Sequence, residues 1–306
     1  MSMRYSAGFI SAFYNPLKNP DAPTIGTATV ASVTSVSVTF TAPANVGGGA
    51  ITGYTVVSSP SSITGTGASS PITVSGLTTD TAYTFKVFAT NAYGPSALSA
   101  ASNSATPALP AIGSAYQGGF FAGQIGVSGV ATHNLVVGPV SSAQNSSIKY
   151  KNANTAATGA DSVIDGPQNT ADLVADGSST VYPAAHFCND LVIGGFSDWY
   201  MPAKNELEVC YYNLKPTTND NNTSSGTNTN AVPSRGSNYT TGTPAQTSAA
   251  NFQDIGAQDF AATDYWSSTE DSSPYNAFAL YFLSGYLTGR NKNTSYRVRA
   301  IRRVAV

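Results

Sequence analysis

Asp198-Trp199-Tyr200-Met201-Pro202-Ala203-Lys204-Asn205-Glu206-Leu207 is the stretch on which the fold of this chain turns. An aromatic pair leads into a proline, and Glu206 and Glu208 follow within about two helical turns. Proline suits the first turn of a helix and acids suit its positive end, so the spacing predicts a helix opening at Pro202 and running through Leu214. Upstream, residues 181–191 place Ala184, Phe187, Cys188 and Leu191 on one side of a shorter helix, which Gly194 and Gly195 close. Further upstream, 118–125 and 133–139 read as paired strands. Downstream, 216–242 is rich in Asn, Thr, Ser and Gly and has little to bury, which predicts an exposed excursion.

The whole chain has 306 residues, enough for two domains with separate cores. Only 10% of its residues are charged, against roughly a quarter in ordinary soluble domains. The net charge of −2 argues against a nucleic-acid-binding domain. Six of the 14 basic residues (Arg290, Lys292, Arg297, Arg299, Arg302 and Arg303) crowd the last 17 positions, while most acids lie between Asp161 and Asp271. Pairing within one domain is the first expectation, and a cationic patch for an anionic glycan is the sharper one. Cys188 and Cys210 sit beside apolar residues in helix-like stretches, which predicts buried free thiols, with a disulfide left open. No apolar run reaches the roughly 18 residues of a membrane span, and residues 1–20 make a poor signal peptide.

Residues 21–108 alternate apolar and polar positions as half-buried strands do, as in Val36, Val38 and Phe40, then Tyr83, Phe85 and Val87. Leu77 precedes Tyr83 by six residues, and Asn91 and Gly94 follow. On these positions the segment resembles a fibronectin type III domain, an all-β immunoglobulin-like sandwich. The resemblance implies that Tyr83 forms a tyrosine corner and that Phe40 stands where a core Trp is usual. Asp80 and Lys86 are its only charges beyond Asp21, so the expected role is a spacer. Residues 105–110 carry two prolines and read as a hinge.

Two further motifs follow Asp198–Leu207 in order: Tyr265-Trp266-Ser267-Ser268-Thr269-Glu270 and Val298-Arg299-Ala300-Ile301-Arg302. Together the three resemble the C-terminal domain of bacterial collagen-like adhesins and its relatives in phage virions, which are C-type-lectin-like folds. The resemblance implies that residues 109–306 form an α+β domain whose two helices flank a twisted antiparallel sheet. Trp199 and Trp266, the only tryptophans, then read as core anchors. Arg299 and Arg302 fall on opposite sides of one strand, and one of them is expected to reach Asp198 or Glu206. Enzymatic relatives use a late cysteine pair, and this chain has no cysteine after Cys210. The Glu-Pro-Asn and Gln-Pro-Asp triplets of calcium-dependent lectins do not occur either. No nucleophile, base and orienter can be assembled around His133 or His186. The expectation is a protein without catalytic residues, metal or cofactor.

One branch of the resembled family varies its C-terminal residues on a fixed frame, and 276–299 has a similar layout. Tyr, Ser, Asn and Arg are also the residue types that contact surfaces favour. The expected receptor-binding positions are Tyr275, Leu280, Ser284, Tyr286, Thr288, Arg290, Asn291 and Asn293. An ordinary hairpin packed on its own domain is the alternative. Phe9, Ile10, Phe13 and Tyr14 are expected to anchor an N-terminal arm, residues 1–20, on a particle. The function expected is therefore a virion fibre or appendage protein that is made in the host cytoplasm and binds a host-surface receptor. Its partners would be other virion proteins and further copies of itself, a trimer being favoured, with no nucleic acid and no membrane insertion. A decoration protein without a receptor and a bacterial adhesin are the alternatives.

Overall fold

The computed structural model describes residues 17–156 and 159–306, and the chain divides into two compact units at Leu109 and Pro110. The anchoring positions Phe9, Ile10, Phe13 and Tyr14 lie outside the described residues.

The first unit is the expected sandwich. Its strands are β1 (Thr24–Ser32), β2 (Ser35–Thr41), β3 (Gly53–Ser59), β4 (Thr64–Gly67), β5 (Ile72–Ser75), β6 (Thr84–Asn91) and β7 (Gly94–Pro95). One sheet has the order β1-β2-β5 and the other β4-β3-β6-β7. Val36, Val38, Val56, Val74, Phe85 and Val87 are fully buried between them, as period-two alternation requires. Phe40 packs against Tyr54 with tilted rings whose centroids are 4.8 Å apart. The Tyr83 hydroxyl accepts the Thr78 N–H at 3.1 Å, which makes the tyrosine corner. Alongside β6 the chain does not form a regular strand. Ser96, Ser99 and Ser102 recur every third residue, and each hydroxyl accepts a β6 N–H while its own N–H donates to a β6 carbonyl. Side chains thus complete a ladder that the backbone alone leaves irregular.

The second unit begins with β8 (Ala115–Tyr116), β9 (Gly119–Val127) and β10 (Val130–Val137), then α1 (Val140–Ala143) and β11 (Gln144–Lys149). Helices α2 (Gly166–Asp176), α3 (Pro183–Asn189) and α4 (Lys204–Leu214) follow, then β12 (Ala231–Val232). The closing strands are β13 (Asp264–Glu270), β14 (Asn276–Tyr281), β15 (Tyr286–Asn291), β16 (Ser295–Arg299) and β17 (Ile301–Ala305). The fold is α+β, but with two sheets where one was expected. These run β12-β9-β10-β17, with β8 on β9, and β11-β16-β13-β14-β15. The pairing of β13 with β16 is parallel, at Tyr265 and Arg297.

Helix α4 starts two residues later than expected. Pro202 stands before its cap, and the Glu206 carboxylate reaches back to the Ala203 N–H at 2.8 Å. The Val298–Arg302 motif is also not one strand. Ala300 breaks it, bonding Ala143 and Gly138, so that Arg299 ends β16 in one sheet and Arg302 lies on β17 in the other.

Strands β13 and β14 separate two cores. Tyr265 and Leu280 face Leu207, Tyr211, Phe260 and Phe282 on the α4 side. Trp266, Ala277 and Ala279 face Tyr150, Leu173, Tyr182 and Trp199 on the α2–α3 side. Both tryptophans are core anchors, each with its indole N–H on a backbone carbonyl at 3.1 Å. Cys188 and Cys210 are free and buried in different cores, and burial pushes both thiols far above their ordinary range. Because the thiolate is the reactive form, neither should react with a disulfide reagent in the folded protein. Both should react after unfolding in denaturant, and rapid titration of the native chain would refute this burial.

Candidate functional site

The hairpin β14–β15 closes one edge of the second sheet, and its register divides the expected contact residues between two faces. Cα partners are Tyr281 with Tyr286, Leu280 with Leu287, Ala279 with Thr288 and Ala277 with Arg290. Alternation therefore gathers Tyr286, Thr288 and Arg290 on one face of the edge strand. Leu280 belongs to the other face. It is fully buried against Tyr265 and Phe282, so its expected role as a contact residue is corrected to core. Tyr286 is 37% and Tyr275 54% exposed, Asn291 and Asn293 are exposed, and Ser284 and Thr288 are half-buried.

A rigid frame holds this edge. Phe282, just past β14, stacks on Phe260 at 4.1 Å and meets Tyr211 edge-on at 5.5 Å. Gly285 turns the hairpin with φ of +72°, and a Cβ there would lie 2.3 Å from the Tyr211 ring. A glycine is required on both counts.

The expected exposed excursion at 216–242 is corrected as well. It folds back over α4 and the hairpin tip, with Asn221, Ser225, Asn228, Ala231 and Tyr239 buried. Asn221 makes this possible, because its amide nitrogen donates to the carbonyls of Thr240, Thr241 and Pro244 while its oxygen accepts the Tyr211 hydroxyl at 2.6 Å. Polar residues can be packed when each finds a partner. Ser225 accepts the Leu287 N–H at 3.1 Å on the outer edge of β15, and Asn222 N–H donates to the Ser284 carbonyl at 2.7 Å. Ser224, Thr227 and Asn238 consequently flank Leu287, a neighbourhood the sequence reading missed. The one signal for it was Tyr239, an aromatic in an otherwise polar run.

Five of the six C-terminal cations are engaged within the domain, and the Arg297 side chain alone among them makes no ion pair or hydrogen bond to the described residues. Arg290 pairs with Asp264 at 3.2 Å, which removes it as a free contact cation. Lys292, fully buried, pairs with Glu270 and donates to the Pro274 carbonyl at 2.8 Å. Arg302 grips Asp198 with two bonds of 2.7 and 2.9 Å and lies 3.8 Å over the Phe196 ring. That grip holds the Asp198 carboxyl below its usual range. Arg299 instead donates to the carbonyls of Gly138 and Gln258 at 2.8 Å each. Glu206, expected as a partner of Arg299 or Arg302, pairs with Arg303 at 2.6 Å. Burial raises the Glu206 carboxyl above the ordinary range, and Arg303 and Tyr200 pull it back. Pairing within the domain, the first expectation for these charges, holds for Arg290, Lys292, Arg302 and Arg303, while Arg299 is held by carbonyls.

His133 lies on β10 beside Thr132, and His186 places Nε2 2.8 Å from the Gly177 carbonyl. Among the described residues no group of three or more His, Cys, Asp or Glu could hold a metal, and no helix is long and apolar enough to cross a membrane. What the edge offers chemically is non-covalent contact, through tyrosine rings, hydroxyls and amides.

The fibronectin type III family matches residues 21–105, and the Lcl C-terminal domain family matches residues 151–302. No curated protein matches the chain. Solved structures resemble it over part of its length. Domains A168–A170 of titin are 31% identical over 30% of this chain and 33% of theirs, with a TM-score of 0.28. Titin module A71 from human cardiac muscle is 32% identical over 30% of this chain and 94% of that module, with a TM-score of 0.25. The twitchin kinase region from C. elegans is 20% identical over 29% of this chain and 17% of that one, with a TM-score of 0.27. The chain thus spans about a third of the titin A168–A170 chain and less than a fifth of the twitchin one. It carries a fibronectin type III domain followed by an Lcl C-terminal domain, the composition of an adhesin-like surface protein.

Proposed function

We propose that this adhesin-like chain is a fibre or appendage protein of a phage virion, fixed to the particle through residues 1–20 and binding the host surface with its second domain. The observation that carries the reading is the β15 edge. It presents Tyr286, Thr288 and Ser284, with Tyr275, Asn291 and Asn293 nearby, on a frame fixed by Phe282 and Gly285. Rigid aromatic area beside adaptable hydrogen-bonding groups suits non-covalent recognition. The sparsely charged first domain serves as a spacer, and several copies per particle turn weak contacts into avidity. The protein binds without catalysis and without a cofactor.

Tyr286→Ala combined with Tyr275→Ala tests the reading. Particles carrying the double variant are expected to adsorb to host cells about tenfold less, while the isolated protein melts as wild type. Normal adsorption by such particles, or by particles lacking the second domain, would leave decoration as the function. Removing residues 1–20 is expected to abolish incorporation into particles.

A further inference from the structure

Lys292 has no exposed surface, and its ammonium is enclosed by segments far apart in the chain. Its Nζ contacts the Glu270 carboxylate and donates to the carbonyls of Pro274 at 2.8 Å and Thr155 at 3.4 Å. The Lys151 N–H donates in turn to the Lys292 carbonyl at 3.0 Å. Lys292 therefore runs beside residues 151–155, from its backbone to its ammonium. Asn154 lies in that stretch, next to the residue whose carbonyl the ammonium reaches.

Three features of this cluster point to chemistry beyond an ion pair. Asn154 Oδ1 is buried and has no hydrogen-bond donor among the described residues. Glu270 Oε1 is buried as well and, although ion-paired, makes no hydrogen bond. Both atoms are acceptors, and a buried acceptor calls for a donor; a proton on the Glu270 carboxyl would be one. Lys292 Nζ is also shut off from water, with the buried Tyr150 ring 5.9 Å away and Trp266 packed edge-on against Tyr150. An amine, an acid and a carboxamide held together away from water are the groups that amide exchange between side chains requires.

We propose that Lys292 and Asn154 join in an intramolecular isopeptide bond, with Glu270 as the acid–base catalyst. Lys292 passes one proton to Glu270, and the neutral amine attacks Asn154 Cγ. The protonated Glu270 hydrogen-bonds Oδ1 as negative charge develops there. The Nζ–Cγ bond forms and the Cγ–Nδ2 bond breaks. Nδ2 leaves as ammonia, taking the second proton that Lys292 sheds, and then accepts the proton from Glu270 to depart as ammonium. No oxidant, reductant or cofactor enters.

The product ties the turn between β15 and β16 to the segment that follows β11. A cross-link closing so long a loop stabilises mainly by restricting the unfolded chain. The proposal needs no receptor and is independent of the contact face on β15.

Intact-mass spectrometry of the purified full-length protein is expected to give the sequence mass, after any N-terminal processing, less one ammonia. A protease digest should contain a branched peptide joining Lys292 to Asn154. Glu270→Gln, which removes the proton acceptor, and Lys292→Arg are expected to keep the full mass and give no branched peptide, with tryptophan fluorescence showing that they are folded. A wild-type chain at full mass, an ammonia loss without the Lys292–Asn154 branch, or a branch formed at wild-type yield in Glu270→Gln would each overturn the proposal. Should neither variant fold, the wild-type mass and digest decide it alone.

Discussion

Glu206→Ala is expected to destabilise the second domain by about 3–5 kcal/mol, the usual effect of breaking a buried ion pair from one side. The carboxylate is fully buried and holds four donors: the N–H groups of Ala203 and Gly166, the Tyr200 hydroxyl at 2.6 Å and Arg303 Nε at 2.6 Å. Its removal strands all four and opens a cavity at the start of α4. Trp199 and Trp266 both lie in the second domain, so tryptophan fluorescence in a urea titration follows that domain alone. A midpoint within error of wild type would refute the role given to Glu206. Because burial raises its carboxyl, the folded chain binds that proton more tightly than the unfolded one. Glu206 therefore contributes most at acid pH, and its contribution declines as pH rises from the ordinary carboxylate range through the raised value.

Trp266→Ala is expected to have an effect of similar size, about 3–5 kcal/mol, through lost burial and an unfilled cavity. The indole is fully buried, meets Tyr296 at 5.0 Å and Tyr150 at 5.7 Å edge-on, and donates to the Ile148 carbonyl. It thereby ties β13 to β16 and β11 across the core on the α2–α3 side. Calorimetry should show the second-domain transition lowered and the fibronectin transition unchanged, since each unit has its own core. Trp266→Phe should lie between the two. A shift in the fibronectin transition would contradict the division into separate units.

Much of the fold could be read locally. Alternation around Val36, Val38, Phe85 and Val87 sets strands whatever their partners, because period two is a property of the backbone. The fibronectin type III resemblance carried by Leu77, Tyr83, Asn91 and Gly94 implied the tyrosine corner, and both tryptophans stand in motifs that proved to be core. The candidate site was legible only in part. Composition pointed to the 275–293 hairpin, but alternation does not say which face is buried, and Leu280 was placed on the wrong one. Arg290 looked available because its partner Asp264 is brought beside it only by sheet register.

The sequence by itself determined the sandwich strands, the helices α3 and α4 and the aromatic anchors, since these follow from patterns a few residues long, whereas α2 and the split into two sheets were not legible in it. Tertiary structure alone decided which charges are paired and how the polar loop after α4 packs. Arg302 meets Asp198 across 104 residues of chain, and Arg303 meets Glu206 across 97. The polar 216–248 segment is packed because Asn221 and Lys215 find carbonyls that only the folded loop assembles. Hydrogen bonding and ion pairing depend on distances of about 3 Å, and no local pattern encodes a distance between segments so far apart in the chain.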